Sequence, residues 1–368
     1  MRIGFLTTYS QRCGLATYAE QLVPALRAHG AEVAIVAPRL FGDDRDTGME
    51  PVPRLWNRNR AFGIEAIPVL RALPAVDVVH ANVNLSLFSS RILFNLGGLA
   101  RRRDTPFFAT WHGRDGGSLG RRFKVWRFHH ALRDAHVIVH NESHAAEVRA
   151  AGVRRVHVVP HGLPPVEHRD RAAARRALGI PEGKLVFAHF GFLVPDKGVL
   201  EMLAAIAALR AQGRDVFYWI SGAVYDSSES RAYFARLKQE IARLGLERHV
   251  HLDGAFVPHE AAMDALAAAD WVVLDYHTGG AQGTSGAVTW ALSSGSPVAV
   301  SRAPVFDDVR AAVHTLDGPL ERALARLVDE RELADVVRKR IEAYARAASW
   351  TEVAARHLEL YRDAVGRN

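Results

Sequence analysis

The feature that most constrains this chain is an alternation of short apolar runs with stretches of helical period, played out twice along its length. A strand is expected at Ile3 to Thr7 and a helix from Leu15. In that helix Leu15, Tyr18, Leu22 and Leu26 recur every three or four residues and so share one face. Pro24 inside it predicts a kink. Further strands are expected at 33–37, 76–80, 107–110, 137–140 and 156–159, most of them separated by helical segments. Such alternation argues for a parallel sheet covered by helices on both faces. The segment Pro160-His161-Gly162-Leu163-Pro164-Pro165 breaks the rhythm and reads as a linker. A second series then runs through strands at 185–190, 216–220, 249–252, 271–274 and 297–300. Its helices are expected from Gly198, near Arg231, over 260–268 and over 285–294. The expected fold class is therefore α/β, with two doubly wound, Rossmann-like parallel-sheet domains facing across a cleft. Their expected limits are residues 1–165 and 166–349. Ser349-Trp350-Thr351-Glu352 has the form of a capping box and opens a final helix, with Ala354, Leu358, Tyr361 and Val365 on one face.

Length and composition agree with two soluble domains: 368 residues exceed what one compact domain usually holds, and 49% are hydrophobic against 24% charged. No apolar stretch approaches the ~20 residues a membrane-spanning helix needs, and the N-terminus leads straight into a strand. Cys13 is the single cysteine, so no intrachain disulfide is possible. That fits a reducing cytoplasm. The net charge of +7 is unevenly distributed: residues 1–165 carry 22 Arg and Lys against 13 Asp and Glu, whereas residues 166–368 carry 25 against 27. A basic first half suits an anionic partner.

Ligands of doubly wound sheets bind past the carboxyl ends of the strands, which directs attention to the loops there. The run from Thr278 to Gly286 is glycine-rich, follows a strand and precedes a helix. Unpaired amides at a helix start, together with its dipole, suit a phosphate. The loop from Tyr9 to Gly14 is of the same kind, although the G-x-G-x-x-G dinucleotide fingerprint is absent. Lys197, again between strand and helix, could neutralise a leaving diphosphate. His112 lies past a strand in a glycine-bearing loop. Other chemistries lose on spacing. Gly179 to Lys184 is one residue short of a P-loop, and Ser285 lacks the spacing of a nucleophile elbow. Asp44 and Asp46 have no strand before them, and His140 and His144 straddle a strand end, so neither pair reads as a metal site.

Taken in order, these segments resemble the retaining GT-B glycosyltransferases of the large, family-four-like group that includes sucrose synthases and bacterial polysaccharide and lipid glycosyltransferases. Gly14 matches the N-terminal glycine loop, His112 a histidine held near the transferred sugar, and Lys197 the lysine of G-x-x-x-x-x-K-G. Gly283 to Gly286 match the second phosphate loop, and Gly295-Ser296-Pro297-Val298 matches the strand entry after it. Ser349-Trp350 and the last helix resemble the family's return onto the first domain. Two departures alter the donor contacts. Phe192 stands where the family usually has arginine, and Gln282 and Trp290 stand where it usually has two glutamates.

The resemblance implies front-face substitution, in which a departing phosphate oxygen takes the acceptor's proton and no metal or other cofactor is required. His112 and Lys197 become the catalytic candidates. Donor contacts are assigned to Gly14, Lys197, Phe256, Val257, Gln282, Gly283, Thr284, Ser285, Gly286 and Trp290, and acceptor contacts to Tyr9, Arg12, Arg114 and Asp115. The expected partners are a nucleotide-sugar and a glycan or lipid-linked acceptor, with an anionic membrane surface answering the basic half. The expected location is cytoplasmic, peripheral to the inner face of the membrane. A GT-B epimerase or phosphorylase and a non-catalytic scaffold remain alternatives. Nucleic acid is disfavoured because no recognised binding motif accompanies the charge.

Overall fold

The computed structural model describes residues 1–11, 13–40, 50–58, 63–73, 75–112, 119–225, 227–277 and 286–366. The chain divides into two compact units, Met1–Gly162 with Ala348–Asn368, and Leu163–Ala347. The first unit contains β1 (Arg2–Leu6), α1 (Gly14–Ala28), β2 (Glu32–Pro38), β3 (Arg54–Trp56), α2 (Ala66–Ala72), β4 (Val78–Val83) and α3 (Ser90–Arg101). β5 (Phe107–Trp111), α4 (Leu119–Ala131), β6 (His136–Val139), α5 (Glu142–Ala150) and β7 (Arg155–Val158) follow. The second unit contains α6 (Arg171–Ala177), β8 (Leu185–Phe192), α7 (Val199–Ala211), β9 (Val216–Ala223), α8 (Ser228–Arg243), β10 (Val250–Asp253) and α9 (His259–Ala267). It continues with β11 (Trp271–Leu274), α10 (Gly286–Ser293), β12 (Val298–Val300), β13 (His314–Thr315), α11 (Leu320–Asp329) and α12 (Arg331–Ala347). α13 (Trp350–Val365) returns to the first unit.

Each unit has one parallel sheet, ordered β3-β2-β1-β4-β5-β6-β7 in the first and β10-β9-β8-β11-β12-β13 in the second. This is the doubly wound α/β architecture expected of the sequence. In the first unit the strand period of two sorts the side chains onto two cores. Ile3, Phe5, Val33, Ile35, Val78, Phe108 and Ile138 face the core shared with α1 and α13. Leu6, Val36, Val79, Phe107, Ala109, Val137 and Val139 face the core shared with α2, α3, α4 and α5. Full burial of a side chain of this size contributes roughly 1.5–3 kcal/mol, so both helix layers are held by many such contributions. Helix starts are set locally: Ser89, Asn141, Ser227 and Ser349 each accept a backbone amide with the side-chain oxygen.

Several strands extend past their expected ends. β4 starts at Val78 and runs to Val83 through Asn82, whose amide donates to Thr7 Oγ1 at 3.1 Å. β9 runs to Ala223 through Ser221 and Gly222. A polar or glycine residue ends an apolar run in the sequence, but a parallel ladder is made by backbone and tolerates a polar side chain that finds a partner. α1 runs from Gly14 to Ala28 without a break at Pro24.

Candidate active site

In the second sheet the chain moves outward from β8 to β10 on one side and from β11 to β13 on the other. The reversal between β8 and β11 is the switch point at which open α/β sheets bind ligands. Lys197 follows β8 there, ending a single 3-10 turn (Pro195–Lys197). Its ammonium lies 3.8 Å from the centroid of the Tyr276 ring and 3.4 Å from the Asp196 carboxylate. Ring and carboxylate together hold the lysine head in place, while its side chain stays 17% exposed. The loops after β8 and β11 are tied together, because the His277 amide donates to the Asp196 carbonyl at 2.9 Å. Beneath them His189 is fully buried, and burial, reinforced by the Lys197 charge, lowers its pKa to about 4. Burial raises the Asp275 carboxyl above its usual range, and the Glu201 carboxylate adds to this.

α10 begins at Gly286, and its Ala287 and the Tyr276 hydroxyl both lie close to Gly191 of β8. A β-carbon on Gly286 would meet nothing within 4 Å, and its φ is not left-handed. The same holds for Gly14, the first residue of α1. Neither packing nor backbone conformation of the described residues asks for glycine at these two helix starts. Glycine at a helix start leaves the amides open to close approach by an external group. At α1 the cap is Cys13, whose sulfur accepts the Ala16 amide at 3.4 Å.

Trp290, one turn into α10, stacks on Phe190 with centroids 5.0 Å apart and meets the edge of His259 at 4.7 Å. One ring face is thus committed to the chain itself. Phe192 is 47% exposed and packs edge-on to Tyr225. Phe256 is 79% exposed just past β10, and Val257 beside it is half-buried. Three exposed aromatics therefore stand at or just past the carboxyl ends of β8, β9 and β10.

In the first unit, His112 lies just past β5. The Nδ1 of His140 is 3.0 Å from the Val159 carbonyl oxygen, an acceptor, so that nitrogen carries the hydrogen. The Nε2 of His140 is then a lone-pair site, and His112 Nδ1, 3.4 Å away, supplies the hydrogen between the two rings. His112 Nε2 is left with a lone pair, buried and without a partner among the described residues. Burial, followed by the neighbouring His140 and His161, holds the His112 pKa well below the ordinary histidine value. The result is a neutral imidazole that can accept a hydrogen bond from a hydroxyl. Tyr18 packs against His112, His140, His161 and Trp350, with centroids 4.8 to 5.8 Å apart. Tyr9, the acceptor candidate among the described residues, is 2% exposed and packs in the core beside α1. Arg12, Arg114, Asp115, Gln282, Gly283, Thr284 and Ser285 lie outside the described residues.

The sequence reading did not single out Asp275 or Tyr276, and it weighed His140 only as half of a rejected metal pair, not as the partner of His112. Asp275 and Tyr276 stand directly after β11, the position that should have drawn attention, but the glycine-rich run beyond them carried the stronger signal.

Comparison with known proteins bears on both units. The model for Glycosyltransferase Family 4 matches residues 13–167, and that for Glycosyl transferases group 1 matches residues 170–348. The chain belongs to the family-four-like GT-B glycosyltransferases. The transferase is similar in fold to sucrose-phosphate synthase from Thermosynechococcus elongatus, with a TM-score of 0.74, 17% identity and 100% of both chains covered. HepE of Anabaena in complex with UDP superposes with a TM-score of 0.76 at 18% identity, covering 99% of this chain and 100% of that one. A glycosyltransferase from Rickettsia africae gives 0.74 at 13% identity, covering 100% and 99%. Among curated proteins no sequence matches significantly. No helix of the described transferase is long and apolar enough to cross a membrane.

Proposed function

We propose that the transferase moves a hexose from a nucleotide-sugar to a glycan or lipid-linked acceptor, retaining the anomeric configuration, in the synthesis of cell-surface polysaccharide or glycolipid. The observation that carries this reading is Lys197 at the switch point of the second sheet, its ammonium held against Tyr276 and Asp196, where Gly191 of β8 lies against both the Tyr276 hydroxyl and Ala287 of α10. A fixed cation together with a helix N-terminus suits a diphosphate leaving group. Nucleotide-sugar donors are further supported by the HepE complexes with UDP and UDP-glucose, and by a trehalose-6-phosphate synthase structure with UDP-2-fluoro glucose.

In this reading Gly14, Gly286, Lys197 and the 278–285 run contact the phosphates, and Phe256 with Val257 receives the base. Trp290 presents its remaining ring surface and indole N–H to the ribose. His112 Nε2 accepts a hydroxyl hydrogen of the transferred sugar and orients it. The acceptor hydroxyl attacks from the face that the diphosphate leaves, and a phosphate oxygen takes its proton. The protein then supplies position and charge, with no covalent sugar intermediate. A metal ion has no role in this scheme, and the protein works at the cytoplasmic side of a membrane.

The test is acceptor-dependent release of nucleotide. UDP, GDP, ADP and their sugars are first ranked by the melting shift each produces. Release is then measured with and without candidate acceptors, in the presence of a chelator. Transfer requires release only with acceptor and insensitivity to the chelator. Lys197→Ala should lower turnover at least about tenfold, or ~1.4 kcal/mol of transition-state stabilisation, at an unchanged melting temperature. Nucleotide binding with no transfer to any acceptor would favour a scaffold, and release without acceptor an enzyme of other chemistry.

A further inference from the structure

Of the twelve large hydrophobic residues exposed among the described residues, six fall on one helix layer of the first unit: Ile64, Ile67, Phe94, Leu119, Phe123 and Trp126. Half of these large exposed side chains therefore belong to three neighbouring helices and the turn leading into them. α2 packs on α3 and α3 on α4, and Asn95 of α3 donates to the Gly63 carbonyl at 3.1 Å, which fixes the entry to α2 beside it.

α4 is apolar on two faces. Val125 and Phe128 are buried beneath the sheet-facing side, whereas Leu119, Phe123, Trp126 and His130 recur at three- to four-residue spacing on the outside. The outer rings stack in sequence, with Phe123 and Trp126 centroids 5.6 Å apart and Trp126 and His130 centroids 5.7 Å apart. Phe94 of α3 and these rings line a groove of about 520 Å³ rimmed by Arg91 and Arg127. Within α3 and α4 the charge has one sign, Glu65 at the start of α2 being the acid beside them. α3 and α4 contain Arg91, Arg101, Arg121, Arg122, Lys124 and Arg127 and no aspartate or glutamate.

We infer that this α2–α4 face docks on the surface of an anionic lipid bilayer. Isoleucine, leucine and aromatic side chains enter the boundary between headgroups and acyl chains, while the arginines remain at the level of the lipid phosphates. A second copy of the chain would bring like charges together. Nucleic acid or an acidic protein would answer the arginines but leave Ile64, Ile67 and Leu119 without an apolar partner. Docking here would bring the first unit to a lipid-linked acceptor, and that consequence rests on the proposed transfer reaction. The docking itself does not, and its test contains no sugar.

The full-length protein is sedimented with vesicles of phosphatidylglycerol and phosphatidylcholine in about equal parts, and in parallel with phosphatidylcholine alone. Binding is expected to the first and not to the second. The pair Phe123→Ser with Trp126→Ser should reduce the bound fraction at least tenfold, and Arg122→Glu with Arg127→Glu should reduce it about fivefold per residue. All four residues are exposed, so the melting temperature and the melting shift given by nucleotide should stay at wild-type values, which separates lost docking from lost folding. The proposal is overturned if wild-type protein stays in the supernatant with the anionic vesicles, including by dimerising or by binding RNA instead. It is equally overturned if both double variants sediment like wild type.

Discussion

At Gly198 the backbone has φ +67°, and a β-carbon would overlap the carbonyl oxygen of Asp275 on the neighbouring loop. Glycine there is demanded by the protein itself, first by conformation and then by the close approach of two loops. Gly14 and Gly286 differ, since a β-carbon at either would meet nothing. The two kinds of position therefore predict opposite behaviour. Gly198→Ala should cost about 2–4 kcal/mol of stability, read as a lowered urea midpoint. Gly14→Ala and Gly286→Ala should leave stability unchanged or raise it by about 0.5 kcal/mol, yet weaken nucleotide binding in titration calorimetry. Full affinity in both helix-start variants would remove these glycines from the donor site. The same residues show what was legible beforehand. Glycine after a strand marks a candidate in the sequence, but whether the demand is internal or external depends on what lies across the loop. Lys197 illustrates the same limit. Its place between strand and helix was readable, whereas Tyr276, almost eighty residues later, came beside it only through the pairing of β8 with β11.

The secondary elements that were legible are those with a period long enough to show. α1 spans 15 residues and announces its buried stripe, and most of the longer strands fall within a few residues of their expected limits. β3 and β13, of three and two residues, have no period to read and exist because a neighbouring strand offers a ladder. α4 escaped for the opposite reason, since apolar residues on both of its faces blur the single stripe that marks a surface helix. α13 is the element whose placement matters most. Val353, Ala354, Leu358 and Tyr361 complete the core shared with α1, and the Tyr361 hydroxyl bonds to His80 of β4. Gly162 is also fixed by it, because a β-carbon there would overlap the Trp350 ring. Leu358→Ala should therefore cost about 2–5 kcal/mol and appear in the unfolding of the unit formed by residues 1–162. Hydrogen exchange resolved by peptide would check this. Protection lost only within α13, with β1 and α1 unaffected, would contradict a shared core.

At the scale of the whole molecule, buried histidines make stability depend on pH differently in the two units. His129, His189 and His357 have pKa values lowered to about 4 by burial. His80 and His112 lie well below the ordinary value for the same principal reason. In the unfolded chain these groups titrate near 6.5. Between about pH 6.5 and 4 the unfolded state therefore binds more protons, so acidification through that window removes stability at about 1.4 kcal/mol per pH unit per histidine. Four of these five belong to the first unit and His189 to the second, where the half-buried His249, His251 and His314 are also lowered by burial. The carboxylates act elsewhere on the scale. Glu167, Asp215, Glu240 and Asp329, all in the second unit, have pKa values lowered chiefly by side-chain hydrogen bonds from Arg169, Lys184, Arg243 and Arg214. Their contributions are present above the unfolded carboxylate pKa and are lost only as pH falls below about 4.5. Lowering the pH from about 7.5 to about 5 should thus destabilise the first unit, which holds most of the deeply buried histidines, by more than the second. Scanning calorimetry should show the transition of residues 1–162 moving to lower temperature by more than that of 163–347. Equal displacement of both transitions would mean that the histidines of the first unit are not held neutral, and with them the neutral His112 on which sugar orientation depends.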